Sequence, residues 1–244
     1  MIEVIDLQKS FGSTAALAGL SFQARDGEVT GLLGPNGAGK TTALRILYGI
    51  MRADGGAVQV DGIDALADTI GARARLGALP DNSGLYPKLT ARENIRYFGR
   101  LQGVAPAAIE ARIGELGAVL DMQEIIDRRC EGFSHGERAK TSLVRVLVHN
   151  PSNVLLDEPT NGLDVMSVRA LRQLILHLRG EGRCVVFSSH VMQEVAALCD
   201  RIVIVSHGRA VAAGTPDDLR EKTGHASLED AFVALTGAER RADS

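Results

Sequence analysis

Apolar and polar positions alternate near the start of the chain and then give way to one mostly apolar run. The short runs at residues 2–5 and 20–22 indicate that residues 1–30 form β-strands separated by glycine and polar turns. The apolar run at residues 29–33 predicts a buried strand, and a glycine-rich loop follows at residues 34–39. Apolar side chains then recur at helical spacing over residues 40–50. This part of the chain is therefore predicted to be a strand, a loop and a helix in direct succession.

The middle of the chain has mostly helical spacing of its apolar positions. Two helix starts can be recognised because a hydroxyl residue is followed three positions later by a glutamate. These capping boxes are Thr90 with Glu93 and Ser134 with Glu137. We predict that the second of these helices runs to Asn150.

Short apolar runs return after Pro151 and predict strands with one helix between them. The predicted strands are residues 154–156, 184–187, 202–205 and 210–212, and the predicted helix is residues 166–179. A turn at His207 and Gly208 makes the last two strands a hairpin. One amphipathic stretch at residues 228–235 precedes a polar end that is expected to fray.

The composition is that of a folded protein and excludes several other classes. Of the 244 residues, 45% are hydrophobic, which is too many for a disordered chain. The longest apolar runs have five residues, and the chain starts without a basic or apolar segment, so we expect neither a membrane span nor a signal peptide. A net charge of −3 argues against a dedicated nucleic-acid binder. Cys130, Cys184 and Cys199 lack metal-ligand spacing and are predicted to be core residues of a cytosolic protein.

The glycine-rich loop and the residues after it match the phosphate-binding pattern G-x-x-x-x-G-K-[ST]. The matching residues are Gly34, Pro35, Asn36, Gly37, Ala38, Gly39, Lys40 and Thr41. Glycines leave backbone N–H groups free to converge on a phosphate, and the following helix adds the positive end of its dipole. We expect Lys40 to reach the β- and γ-phosphates and the Thr41 hydroxyl to ligate Mg²⁺. The alternative is a chance match, which the strand and helix on either side disfavour.

A second candidate site follows the predicted strand at residues 154–156, where Asp157 and Glu158 are adjacent. In P-loop ATPases this position handles magnesium and the attacking water. Asp157 would hold the metal directly or through water, and Glu158 would orient or deprotonate the attacking water. Taken alone, the pair is more simply explained as a helix cap. Its place downstream of a phosphate loop favours hydrolysis.

The segment Phe133-Ser134-His135-Gly136-Glu137 narrows the class of P-loop protein. At this segment the sequence resembles the nucleotide-binding subunits of ABC transporters, and the resemblance covers essentially the whole chain. The family signature is Leu-Ser-Gly-Gly-Gln, which Ser134 and Gly136 match and the other three residues do not. The resemblance implies that this segment contacts the γ-phosphate of ATP bound to a second copy. An ordinary capping box is the alternative, and both interpretations can hold together.

Further elements of the family occur in the expected order. Asp164 is similar to the residue of a loop that reaches across the dimer interface, and Thr42 completes the phosphate-binding set. His190 is similar to the histidine that contacts the γ-phosphate, with a turn or capping histidine as the alternative. Phe11 is similar to the aromatic side chain that stacks on adenine, with a plain core phenylalanine as the alternative.

One position departs from the family in a way that concerns its membrane partner. The family usually has a glutamine that contacts magnesium where the core meets the helical sub-domain. The aligned stretch here places Asp81 at that position, with Asn82 as the alternative occupant. An aspartate can reach a metal, but it is shorter and charged, so the coupling geometry is expected to differ.

The resemblance implies an α/β fold: a P-loop NTPase core of the RecA-like type, with an N-terminal antiparallel β region and an inserted α-helical sub-domain. We expect the core at residues 1–85 and 151–222, the helical sub-domain at 86–150 and a C-terminal tail at 223–244. The resemblance also implies ATP and Mg²⁺ as cofactors and two copies that dimerise around two MgATP. A separate multi-span permease would hold the protein at the cytoplasmic face of the membrane, with no nucleic-acid partner.

Short sequence segments indicate which subgroup of the family the chain resembles. Residues 84–90 and 157–166 resemble the NatA-like, sodium-exporting subgroup, and residues 228–236 are similar to the tail of ATPases that pair with exporter-type permeases. Sodium efflux is therefore one expectation, and export of a drug, lipid or polysaccharide is the alternative. A soluble ABC ATPase that acts on ribosomes or DNA is disfavoured by the single cassette, and a P-loop kinase by the signature segment and His190.

Overall fold

The structure is a computed structural model that describes residues 1–81 and 84–237. The strands are β1 (Ile2–Phe11), β2 (Thr14–Ala24), β3 (Val29–Leu33), β4 (Gly55–Val60), β5 (Ile63–Asp64), β6 (Leu76–Leu79), β7 (Asn153–Asp157), β8 (Cys184–Ser189), β9 (Arg201–Ser206) and β10 (Arg209–Gly214). The helices are α1 (Lys40–Leu47), α2 (Thr69–Ala74), α3 (Ala91–Leu101), α4 (Pro106–Val119), α5 (His135–Leu147), α6 (Val165–Gly180), α7 (Met192–Leu198), α8 (Pro216–Thr223) and α9 (Leu228–Gly237). Asn82 and residues 238–244 of the polar end predicted to fray lie outside the described residues.

Two sheets organise the chain. The N-terminal strands form an antiparallel sheet in the order β2-β1-β4-β5, and the other six strands form a sheet in the order β10-β9-β3-β8-β7-β6. In the second sheet the five strands from β9 to β6 are parallel, and β10 pairs antiparallel with β9. The predicted α/β fold with an N-terminal antiparallel region is confirmed. The domain boundaries that we drew at residues 85 and 150 stay predictions.

The parallel sheet is buried on both faces, which explains its continuous apolar runs. Every residue of β3, β7 and β8 is buried. Successive residues of a strand point to opposite faces, so Leu32 and Leu155 join the core shared with the antiparallel sheet and α1. Their neighbours Leu33 and Leu156 join the core shared with the helices α3 to α6. This packing fixes the strand ends that carry the candidate site.

Two predicted helices end three residues earlier than expected, and both predictions were wrong for the same reason. α1 ends before Gly49, which has a φ of 70°, and the N–H of Ile50 bonds back to the carbonyl of Arg45 at 2.9 Å. α5 ends before Asn150, which has a φ of 57° and directly precedes Pro151. A left-handed residue stops the helical hydrogen-bond ladder at each of these ends.

The three cysteines are buried and form no disulfide, as the sequence predicts for core residues. Burial raises the pKa of Cys184 to about 12 and also raises the pKa values of Cys130 and Cys199. These thiols are therefore un-ionised near neutral pH and act as small apolar side chains. Within the part of the chain that the structure describes, no helix combines the length and the apolar character needed to cross a membrane.

Candidate functional site

Four predicted segments meet at the carboxyl edge of the parallel sheet. β3 leads into the phosphate loop, β7 ends at Asp157, β8 ends next to His190, and β6 leads towards Asp81. The four strands are adjacent in the order β3-β8-β7-β6, and their register places Asp157 opposite Ser188. Ligands of open α/β sheets bind at this edge. The fold thus brings together residues that are far apart in sequence.

The phosphate loop packs against β2 and encloses a lysine. Gly39 has a φ of 106°, and a Cβ atom there would lie 2.5 Å from the carbonyl oxygen of Ala16, so a side chain does not fit. Lys40 is 5% exposed, and its Nζ donates to the carbonyl oxygens of Gly34 at 2.7 Å and Pro35 at 3.2 Å. Because α1 begins at Lys40, the ammonium group and the positive end of the helix dipole occupy the same loop.

Asp157 has one bonded oxygen and one free oxygen. Its Oδ1 accepts hydrogen bonds from Thr41 Oγ1 at 3.0 Å and from Ser188 Oγ at 2.7 Å. Its Oδ2 is buried and has no hydrogen-bond partner among the described residues. Burial raises the pKa of Asp157, and the charges of Asp81 and Glu158 add to this rise. A divalent cation would satisfy the free oxygen and favour the ionised carboxylate, so these residues fit Mg²⁺.

Glu158 lies between the lysine and the predicted switch histidine. Its Oε2 accepts a hydrogen bond from His190 Nδ1 at 2.8 Å, and its Oε1 is 3.4 Å from Lys40 Nζ. The backbone N–H of Glu158 donates to Ser188 Oγ at 3.0 Å. Ser188 therefore fixes both acids, a role that our sequence analysis missed. The role could have been inferred from the two serines that end the otherwise apolar β8.

Ser134 caps α5, the helix that begins within the signature segment. Its Oγ accepts from the N–H of Glu137 at 3.2 Å, and its own N–H donates to Glu137 Oε2 at 2.8 Å. The predicted capping box is confirmed, as is the box at Thr90. Ser134 is exposed, and a hydroxyl that accepts one hydrogen bond still has a hydrogen to donate. Capping and ligand binding by this serine are therefore compatible.

The residues that depart from the family signature have contacts within this chain. Phe133 is 2% exposed and belongs to the larger core, and Glu137 forms an ion pair with Arg128 at 2.8 Å. His135 Nε2 lies 3.0 Å from the carbonyl oxygen of Asn161. The start of α5 is therefore bonded to the loop that follows Glu158.

Gly136 lies where the starts of α5 and α6 approach each other closely. A Cβ atom at this position would lie 2.3 Å from Ser167 Oγ and 3.3 Å from Asp164 Oδ2. A side chain at this position would displace the Ser167 hydroxyl from its hydrogen bond to Asp164, so the signature glycine suits the close packing of the two helix starts, whatever further role it has toward a nucleotide. The predicted role toward ATP stays a prediction.

Replacing His135 by alanine is expected to lower the free energy of unfolding by about 1 kcal/mol, because one hydrogen bond and its packing on the 159–163 loop are lost. His135→Gln should recover most of this loss, since the glutamine amide can donate to the same carbonyl. Urea unfolding followed by circular dichroism measures both. His225→Ala, at an exposed position, is the control. Equal destabilisation by alanine and glutamine would show that the hydrogen bond contributes nothing.

The predicted roles of Asp164 and Phe11 each involve a second molecule, a second copy of the chain for Asp164 and an adenine for Phe11. Within this chain the two residues have the following contacts. The carboxylate of Asp164 caps α6 by accepting from the N–H of Ser167 at 2.8 Å and from its hydroxyl at 3.0 Å, and these bonds lower the pKa of Asp164. Phe11 ends β1 with half its surface exposed, and Lys9 Nζ lies 5.7 Å from its ring centroid. The exposed ring disfavours the core alternative, and the roles of both residues at an interface or an adenine stay predictions.

A cavity of about 640 Å³ opens beside the two acids at the end of β7. Asp81, Asp157 and Glu158 line it together with residues at the start of α5, including His135. The carboxylates therefore face a cleft that solvent can enter. Asp81 is exposed there and close enough to affect Asp157 electrostatically, but its role as a metal ligand stays a prediction.

A second group of possible metal ligands lies elsewhere. Glu115, His177 and Glu181 have ligand atoms within 4.8 Å of one another. The guanidinium of Arg112 already donates to Glu115 at 2.7 Å and to Glu181 at 3.3 Å. A cation would have to compete with this positive charge, so we interpret the group as an ion-pair network that joins α4 to α6.

The phosphate loop, the two acids and the capped signature helix define an ATP-binding subunit of an ABC transporter, and the chain belongs to this family. The family described as ABC transporter matches residues 17–161. Members of this family are ATPases coupled to transport, and this chain binds and hydrolyses ATP.

The chain is similar to curated relatives over most of its length. The ABC transporter ATP-binding protein NatA of Bacillus subtilis (strain 168) is 38% identical over 96% of this chain and 97% of that protein. The linearmycin resistance ATP-binding protein LnrL of the same strain is 34% identical, covering 97% and 75%. The Nod factor export ATP-binding protein I of Paraburkholderia xenovorans (strain LB400) is 37% identical, covering 89% and 72%.

Solved structures confirm the fold class. A structure described as the ATP-binding subunit of an ABC transporter superposes with a TM-score of 0.89 at 29% identity, covering 97% of this chain and 99% of that one. A dimeric bacterial ABC transporter cassette superposes with a TM-score of 0.79 at 23% identity, covering 88% and 98%. The second likeness concerns the fold alone.

Proposed function

We propose that two copies of this chain bind two MgATP between them and that hydrolysis drives a separate membrane permease of the export type. The observation that carries the catalytic part is the convergence of Lys40, Asp157, Glu158 and His190 at one sheet edge, with the last two 2.8 Å apart. The permease follows from the family, since its members are coupled to transport.

Nucleotide binding is assigned to the phosphate loop and metal binding to the residues beside it. Lys40 would exchange its bonds to the loop carbonyls for bonds to phosphate oxygens. Thr41 and Asp157 would hold Mg²⁺, and Asp81 would approach it from the cleft. When bound, Mg²⁺ neutralises charge on the β- and γ-phosphates.

Hydrolysis requires a base that is fixed next to the γ-phosphate. Glu158 would take a proton from water while the water oxygen forms a bond to the γ-phosphorus. The bond from phosphorus to the β,γ-bridging oxygen breaks, and ADP leaves with that electron pair. His190 already donates a hydrogen bond to the Glu158 carboxylate and would orient it, and Ser188 fixes the backbone of the same residue.

Three features support a second copy as the partner of the site. Ser134 is exposed at the positive end of α5 and retains a hydrogen to donate, which suits a γ-phosphate presented from outside the chain. Val165 and Met166, directly after Asp164, are 83% and 69% exposed. Adjacent exposed apolar side chains are typical of a protein interface. Gly136 allows the starts of α5 and α6 to pack closely, so both would face the second copy side by side.

Ser134→Arg tests the shared site. We expect this variant to bind ATP as a monomer but not to dimerise, because a bulky cation replaces the hydroxyl that serves the other copy's phosphate. Isothermal titration with ATP and size-exclusion chromatography in MgATP measure the two properties. Mixing it with Lys40→Ala should restore one intact composite site of two.

Ala108→Arg, which places the same side chain on an exposed position of α4, is the matched control and should dimerise normally. If Ser134→Arg instead loses ATP binding as a monomer, the serine acts within its own chain and the shared site is rejected.

Cargo selection is assigned to the permease. The relatives named for Nod factor export and linearmycin resistance are nearly as similar to this chain as NatA is. We therefore propose an exporter, with sodium as the first cargo to test because of the resemblance to the NatA-like subgroup. Co-purification of the tagged chain from membranes identifies the permease, and ATP-dependent sodium uptake by inverted vesicles that contain both proteins tests the cargo.

A further inference from the structure

The two loops that carry Glu158 and His190 follow different strands but meet at the site. Glu158 Oε2 and His190 Nδ1 are 2.8 Å apart. Glu158 also has a φ of 46°, a left-handed conformation that residues with a Cβ atom disfavour. The surrounding structure must therefore fix both loops for this pair to keep its geometry.

One buried carboxylate bonds to both loops. Glu194, on α7, is 9% exposed. Its Oε2 accepts hydrogen bonds from Thr160 Oγ1 at 2.8 Å and from Ser189 Oγ at 3.1 Å. Thr160 lies two residues after Glu158, and Ser189 lies directly before His190. A single oxygen atom thus joins the loop of the acid to the last residue of β8, directly before the histidine.

Ser189 extends this connection across His190. Its Oγ accepts a hydrogen bond from the N–H of Val191 at 2.9 Å while its hydrogen is donated to Glu194. The backbone after the histidine is therefore hydrogen-bonded to the hydroxyl of the residue before it, and that hydroxyl is bonded to the buried acid. Loss of the acid would leave two hydroxyl donors without their acceptor in a mostly buried place.

We propose that Glu194 is a positioning residue for ATP hydrolysis, which sets the separation of Glu158 and His190 by bonding to Thr160 and Ser189 through one oxygen. The inference rests on the roles proposed above for Glu158 and His190. The bonds of Glu194 run to these two loops, whereas the phosphate loop is fixed by Lys40 and its carbonyl partners. Its removal should consequently slow hydrolysis and spare ATP binding.

Steady-state hydrolysis of MgATP by the purified full chain tests this role. Glu194→Ala is expected to lower kcat by about 10-fold to 10²-fold, because small displacements of reacting groups have effects of this size, with KM within about twofold of wild type. Glu194→Gln keeps a side-chain oxygen that accepts both hydrogen bonds and should restore kcat to within about threefold. Gln193→Ala, at an exposed position of the same helix, should leave kcat unchanged.

Thr160→Val keeps the test decisive if Glu194→Ala does not fold. This change removes one of the two hydroxyl donors and keeps a branched side chain of similar size. We expect the variant to fold with a thermal unfolding midpoint lowered only by the loss of one hydrogen bond, and kcat to fall by about 3-fold to 10-fold.

Three results would overturn the proposal. The first is a wild-type kcat in a folded Glu194→Ala or Thr160→Val variant. The second is a Glu194→Gln variant that is as slow as Glu194→Ala. The third is a rise in KM that accounts for the whole loss of activity. The kcat of Glu158→Gln, measured in the same assay, distinguishes a failure of the positioning role from a failure of the proposed function. If Glu158→Gln is inactive and Glu194→Ala is normal, the positioning role alone is rejected, whereas an active Glu158→Gln rejects the catalytic assignment itself.

Discussion

Glu158→Gln is expected to slow ATP hydrolysis by about 10² to 10⁴-fold, which corresponds to roughly 3 to 5 kcal/mol of barrier. Glutamine retains the size of the side chain and an oxygen that can accept from His190 Nδ1, but it cannot take a proton from water. ATP binding should survive because Lys40, Thr41 and Asp157 are untouched. The variant should accumulate as an ATP-bound dimer, visible by size-exclusion chromatography in MgATP and missing in MgADP.

The matched control is Glu229→Gln, the same substitution at an exposed position near the end of the chain. It should hydrolyse ATP at the wild-type rate and show the wild-type elution profile. A Glu158→Gln protein that turns over at the wild-type rate and stays monomeric in MgATP would refute both the base and the nucleotide-sandwich dimer.

Lys40→Ala is expected to abolish measurable hydrolysis and to weaken ATP binding by about 10² to 10³-fold. Lys40 is 5% exposed, and truncating one partner of a desolvated charge pair costs about 3 to 4 kcal/mol. The substitution also leaves the carbonyl oxygens of Gly34 and Pro35 without their donor. Binding of ATP by isothermal titration and release of phosphate measure the two effects.

Lys222→Ala removes an exposed lysine on α8 and is the control for the change in net charge. Circular dichroism of Lys40→Ala should match that of the unmodified chain, which shows that the loop and not the fold has been changed. Near-normal turnover by a folded Lys40→Ala protein would show that this loop does not bind the phosphates.

The sequence predicted the segments that converge at the candidate site, because each of these predictions depends on local spacing. The phosphate loop, the acids after β7 and the histidine after β8 each follow an apolar strand, and parallel strands align their carboxyl ends in space. The capping boxes at Thr90 and Ser134 were predictable for the same reason, since both hydrogen bonds of each box lie within one turn. Local patterns of this kind need no knowledge of the tertiary structure.

The contacts that fix the site could not be predicted because they join distant parts of the chain. Glu194 bonds to a residue 34 positions away, and His135 contacts a carbonyl 26 positions away. Such pairs depend on how helices pack on the sheet, which spacing alone does not encode. The early ends of α1 and α5 were missed for a different reason. Gly49 and Asn150 adopt left-handed conformations. Glycine and asparagine can adopt this conformation at many positions, and the tertiary structure decides at which of them they do.

Because the backbone of Glu158 is left-handed, the residue that is best for stability at position 158 differs from the residue that is best for activity. A φ of 46° at a residue with a Cβ atom costs about 1 kcal/mol or more, and glycine or asparagine would relieve that cost. A directed-evolution screen that rewards only heat resistance should therefore enrich glycine or asparagine at position 158 and yield robust but inactive protein. Persistence of glutamate through such a screen would require a second selection for ATP turnover.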